Sequence, residues 1–222
     1  MPRAPVAPRW HTAALVALYL TVALAGALLQ AHDAPTAAAP VAPNRIVGAY
    51  LPMLAAQWAT LVYVARVGRP VWALRALLGG RARVSDLALG ALAWALVAGV
   101  EHAWSHVAGA STPPSVAALL PQTVPERLTW ALVAAGVGFC EEVTFRGYLQ
   151  TQFEAFTGRA GVAVAMQAVV FGVAHGEQGL AAAARVALYG LGLGALARWR
   201  GSLWPGIACH VANDLVAGLL GA

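Results

Sequence analysis

The chain has 222 residues, 60% of them hydrophobic and only 10% charged, with a formal net charge of +5. A soluble globular domain carries roughly 25% charged residues, so this composition excludes one and points to an integral membrane protein. The basic excess is not a nucleic-acid patch: all 14 basic residues are arginines, spread among the segments between apolar runs, which is a topology signal. Arginine without lysine, in an alanine-rich chain, indicates a GC-rich bacterial genome and hence a bacterial inner (cell) membrane.

At about 20 apolar residues per crossing, seven segments qualify as spans: 11–31, 45–65, 84–107, 128–149, 162–176, 184–197 and 202–220. Six to eight is the range this supports, and the expected fold is an all-α polytopic transmembrane helix bundle forming one integral membrane domain, 1–222. The first run, "HTAALVALYLTVALAGALLQA", is longer than a signal-peptide core and lacks an A-x-A site, so it reads as an uncleaved span. "AHDAPTAAAPVAP" (31–43) is a Pro/Ala-rich external loop. "VGRPVWALRALLGGRARVSD" (67–86) is a basic cytoplasmic loop with a short interfacial helix around Trp72–Leu78. "GASTPPSVAALLPQTVPE" (109–126) is a Pro-rich linker, and Pro125 followed by Glu126 marks a helix start. It separates variable front spans (1–110) from a denser back half (126–220). In the sixth span Gly190 and Gly194 have the spacing of a close-packing seam. Cys140 and Cys209 lie in spans and read as small core residues.

With the N-terminus inside, ten arginines (3, 9, 66, 69, 75, 81, 83, 159, 198 and 200) fall on the cytoplasmic side and three (45, 127 and 185) outside. That asymmetry places the N-terminus in the cytoplasm.

Ionisable residues inside a membrane are costly and are functional candidates by default. The back half contains Glu141, Glu142, Arg146, His175, His210 and Asp214. Glu142 and Arg146, four apart, are spaced as a structural ion pair. Glu141 is turned about 100° away and has no partner on its own helix. His175 follows Phe171 by one turn, and His210 precedes Asp214 by one turn, so the carboxylate can orient the imidazole. A competing group, Glu101, His102 and His106, has a spacing that metal sites use. Its depth, ~25 Å along the third span, and the neighbouring Trp104 make it interfacial. The same arithmetic puts Glu141 ~10 Å and His210 ~12 Å from the inner edge, but His175 ~20 Å, a mismatch that the assumed boundaries leave open.

"EEVTFR", "FGVAH" and "HVAND" resemble, in order, the E-E-x-x-x-R, F-x-x-x-H and H-x-x-x-N/D motifs of the CPBP (Abi) family, the intramembrane CAAX prenyl endopeptidases and bacteriocin-processing enzymes. The resemblance covers about residues 126–218. It implies an intramembrane endopeptidase acting on peptides or lipidated proteins within the bilayer. Glu141 would activate water with His175, while His210 and Asp214 would hold the substrate carbonyl or oxyanion. Phe171 packs within its motif, and Asp214 stands where Asn is frequent. Glu141, His175 and His210 would also make a His₂Glu zinc set, so glutamate-type and metal-assisted hydrolysis both stay open; the former is preferred and no cofactor is favoured. A catalytically silent scaffold or immunity protein is the alternative, and a transporter, lacking visible repeats, is the weaker one.

Overall fold

The computed structural model describes residues 5–33, 44–67, 74–108 and 112–221. Arg3, Arg69, Trp72 and most of the loop 31–43 lie outside them. The described residues form a wholly helical membrane bundle. In chain order the helices are α1 (Arg9–Asp33), α2 (Ile46–Val67), the short α3 (Leu74–Leu77), α4 (Val84–Ala108), the short α5 (Pro114–Leu119), α6 (Val124–Thr157), α7 (Ala160–Val173), α8 (Leu180–Arg200) and α9 (Trp204–Val216). Five of them, α1, α2, α4, α6 and α8, are long and apolar enough to cross a membrane. The two remaining expected spans are shorter helices, α7 and α9, the latter prolonged by a π turn over Ala217–Gly221. The sixth expected span, taken as 184–197, is the longer helix α8.

Helix α6 is the centre of the bundle. Of its apolar window 61% is buried, against 11–33% for the other four long helices. Leucines such as Leu92, Leu96, Leu128, Leu132 and Leu188 are exposed, as befits helices whose outer faces meet lipid. The start of α6 is fixed by a capping box: Thr123 and Glu126 satisfy each other's backbone N–H groups. Its end is fixed by Gly158, whose φ of 68° is the left-handed turn that glycine adopts without strain.

The helix therefore runs eight residues past the boundary expected at 149. Measured from the turn that joins it to α7, Glu141 is sixteen residues before Thr157 and His175 fifteen after Ala160. At 1.5 Å per residue both lie ~22–24 Å away, so the depth mismatch came from the boundary. His175 is also not in a span: α7 stops at Val173, and His175 opens a 3-10 turn, Gly176–Gln178.

Gly190 and Gly194 bring α8 against α7. A Cβ on Gly190 would lie 3.0 Å from the Phe171 ring, and one on Gly194 would meet the Gln167 amide and lie 3.2 Å from Val164 Cγ1. Helix α9 packs between α4 and α6, and its approach to α4 is close because Gly90 faces Pro205 and Ala208.

Contacts between helix termini mark two ends of the bundle: Arg200 meets Asp86, His11 meets Tyr63 and Gln152 meets Val6 at one, while Arg45 meets Glu126 and Tyr50 meets Leu119 at the other. Arg9, Arg66, Arg75, Arg81, Arg83, Arg159, Arg198 and Arg200 are at one; Arg45, Arg127 and Arg185 are at the other. Among the described residues the arginine-rich end is packed around a small cavity, ≈ 70 Å³, that Arg146 borders. Leu77, Leu78, Leu149, Phe153 and Leu203 are buried there with Val6. Gln152 accepts from the Val6 N–H at 2.6 Å and donates to Ala7 O at 2.9 Å.

Candidate active site

From Glu142 to Leu149 helix α6 is π-helical, a widening often found at functional sites. Every residue from Glu141 to Glu154 is buried. The expected neighbours Glu142 and Arg146 lie 3.0 Å apart, Oε1 to Nη1, both side chains fully enclosed. The contact brings charges together without a well-aligned hydrogen bond, since Nη1 has no acceptor in hydrogen-bonding geometry. The guanidinium carbon instead lies over the Phe171 ring, 4.2 Å from its centroid, a cation–π contact that gains strength away from water.

The ion pair has a third member that the sequence spacing did not show. His210 Nδ1 lies 3.0 Å from the same Glu142 Oε1. Glu142 therefore ties α6 to α9 as well as holding Arg146. The other ring nitrogen, Nε2, sits 3.7 Å from Glu141 Oε2 and 3.8 Å from Asp214 Oδ2. One imidazole thus stands among three carboxylates. With Glu142 ionised, Nδ1–H donates to it, and Nε2 is the nitrogen turned toward the other two acids.

Glu141 also has a partner, on another helix. Gln57 of α2 donates Nε2–H to Glu141 Oε1 at 2.6 Å. Sequence reasoning missed this residue; its only signal is one amide in the apolar run "LPMLAAQWATL". The bond fixes one carboxylate oxygen and leaves Oε2 on the His210 side.

His175 is held differently. Its Nδ1 is 2.8 Å from Phe171 O, and a carbonyl can only accept, so Nδ1 carries the hydrogen. In the neutral ring this leaves a lone pair on Nε2. Phe171 supports the ring as well, edge-on at 4.8 Å, and packs 6.0 Å from His210.

His175, His210 and Asp214 line a cleft of ≈ 670 Å³. Glu141 stands one contact back, 7% exposed, behind His210. Glu101, His102 and Arg185 line the same cleft, so the group at the end of α4 is not a separate site. His102 and His106 lie 3.2 Å apart, Nε2 to Nε2. Among the described residues no three His, Cys, Asp or Glu side chains are grouped to hold a metal ion. Glu141, His175 and His210 accordingly do not form a three-ligand set. Cys140 and Cys209 are both free and buried.

Residues 123–216 match the family model described as type II CAAX prenyl endopeptidase Rce1-like. This part of the chain is Rce1-like. No curated protein and no solved structure matches. The Rce1-like segment is less than half of the chain, but it opens at the cap of α6 and contains Glu141, Glu142, Arg146, Phe171, His175, His210 and Asp214. Gln57, Glu101 and His102 lie outside it. The matched family is described as one of type II CAAX prenyl endopeptidases.

Proposed function

We propose that the protein is an intramembrane endopeptidase in which Glu141, just behind the His210 wall of the cleft, activates water. The observation that carries this reading is the His210 imidazole standing between the carboxylates of Glu141, Glu142 and Asp214, at the foot of a cleft that also exposes the His175 ring. Glu141 Oε2 takes a proton from water, and the hydroxide adds to the scissile carbonyl carbon. His175 Nε2, with its lone pair, accepts a hydrogen bond from the same water and aims it. His210 Nε2, once protonated, donates to the oxyanion, with Asp214 orienting the ring. The C–N bond then breaks as Glu141 returns its proton to the amine. Burial favours each step, because a donor aimed at developing charge is worth most where water is excluded. Glu142 and Arg146 act one layer away, fixing His210.

The substrate is a peptide segment of a membrane-associated protein, with or without a lipid. Glu141→Gln keeps the Gln57 contact and the side-chain volume but removes the base. Cleavage of a membrane-tethered substrate is expected to fall on the order of 10²–10⁴-fold, with unfolding in detergent near the wild-type temperature. Full cleavage by this variant would sink the assignment.

A further inference from the structure

Beyond His210, the residues that line the cleft gather at one end of the bundle. The walls there come from the last turns of α4 (Glu101, His102), from α5 (Val116, Leu119), from the first turns of α8 (Arg185) and from α9 beyond His210. All of these are at the arginine-poor end. The α5 wall is fastened there: Tyr50 donates to Leu119 O at 2.7 Å and Arg45 Nε to Ala118 O at 2.9 Å. At the other end, a smaller cavity of ≈ 70 Å³ bordered by Gly79, Arg146 and Ser202 shares no lining residue with the cleft. Arg146 borders the smaller cavity, and its fully enclosed partner Glu142 borders neither.

Arginine distribution fixes which end faces the cytoplasm. Positively charged residues near span ends are retained inside, and acids count little in this rule. The buried Arg146 aside, the described arginines divide eight to three, and Arg45, one of the three, is already ion-paired with Glu126 at 3.3 Å. The arginine-rich end is therefore cytoplasmic and the cleft opens away from it. Helical rise says how far. His210 lies seven residues from Leu203, ~10 Å from the turn that closes the cytoplasmic end. Glu101 lies seventeen residues beyond Val84, ~25 Å from that end.

We propose that this site takes its substrate from the extracytoplasmic side: an exported polypeptide tethered at the outer leaflet, and not a prenylated C-terminus in the cytoplasm. The proposal rests on the peptidase reading above and adds the side of access. A chain anchored in the cytoplasmic leaflet meets the end where Gln152, Val6 and Leu203 are buried, and among the described residues the cavity at that end shares no lining with the cleft. A chain anchored outside meets α5 and the open cleft.

Two measurements separate this proposal from the reading beneath it. Ala117 is exposed on α5 and Ala82 is exposed between Arg81 and Arg83; neither belongs to the site. In intact cells, with the wild type as background for Cys140 and Cys209, an impermeant maleimide is expected to label Ala117→Cys. It should reach Ala82→Cys only after lysis. The reverse pattern overturns the proposal whatever the protein cleaves. In the second arm, a pool of single-span reporters with a randomised juxtamembrane segment is expressed in both orientations beside wild type or Glu141→Gln. Glu141-dependent cuts confined to outward-facing segments support the proposal, and cuts confined to inward-facing ones overturn it. Outward labelling with no Glu141-dependent cut in either orientation overturns the peptidase reading and leaves the outward-facing cleft standing.

Discussion

Glu142→Gln exchanges one oxygen for an NH₂ group at a position without solvent, where the native carboxylate faces both Arg146 and His210 at 3.0 Å. The new amide oxygen still accepts from His210 Nδ1, but Arg146 is left as an uncompensated buried charge. Breaking one side of a buried pair costs about 3–5 kcal/mol, and the retained His210 bond puts this variant at the low end, near ~3. Arg146→Leu strands Glu142 and also removes the cation over Phe171, worth about 2 kcal/mol when desolvated, so it belongs near ~5 on the same scale. The double variant strands neither charge. It should cost roughly 2–4 kcal/mol, well under the ~8 that independent sites would give, because residues in one network do not add. Thermal unfolding in detergent reads all three, at roughly 2–4 °C per kcal/mol for a chain of this size. Single variants that unfold at the wild-type temperature, or a double variant as unstable as both losses together, would refute the coupling.

Gln57→Leu removes the donor to Glu141 and should lower kcat roughly ten- to a hundredfold, about 1.4–2.7 kcal/mol, with KM little changed; an unchanged kcat would remove Gln57 from the site. Gly206→Ala places a Cβ 2.7 Å from Glu142 Oε2, so we expect about 1–3 kcal/mol of destabilisation and lost activity, whereas Gly192→Ala, with nothing within 4 Å, should leave both intact. Chelator treatment of the purified protein should leave peptidase activity in place, given that no three ligand side chains are grouped; stoichiometric zinc lost together with activity in His175→Ala and His210→Ala would show the hydrolysis to be metal-assisted.

Much of the fold was legible because lipid imposes apolar runs of about 20 residues, such as 11–31 and 84–107. Boundaries were less so. The stretch Gln150–Thr157 is polar enough to resemble a loop, yet nothing breaks the helix before Gly158, and that glycine was the available signal. His175 was found by its spacing from Phe171, but its place on a turn was not, although Gly176 and Gly179 flank it. Helical spacing brought Glu142 to Arg146 because both are on one helix. It says nothing of His210, 68 positions away, nor of Gln57, 84 positions from Glu141. Such contacts depend on how helices pack. The π-helical widening after Glu141 was likewise invisible, since residue spacing cannot tell an i→i+5 bond from an i→i+4 one.

The sealed floor beneath His210 bears on what a cut can accomplish. On the proposed reading, the knot of Leu77, Leu149, Phe153 and Leu203, with Gln152 clasping Val6 and Ala7, would make the site a cul-de-sac. A polypeptide severed there would have no onward passage, and both fragments would stay in the compartment from which the chain arrived. Cleavage would then change whether a molecule remains anchored, without relocating either piece across the bilayer. Such a protein would work as a releasing blade on one face of the membrane, and any transport of its products would fall to other machinery.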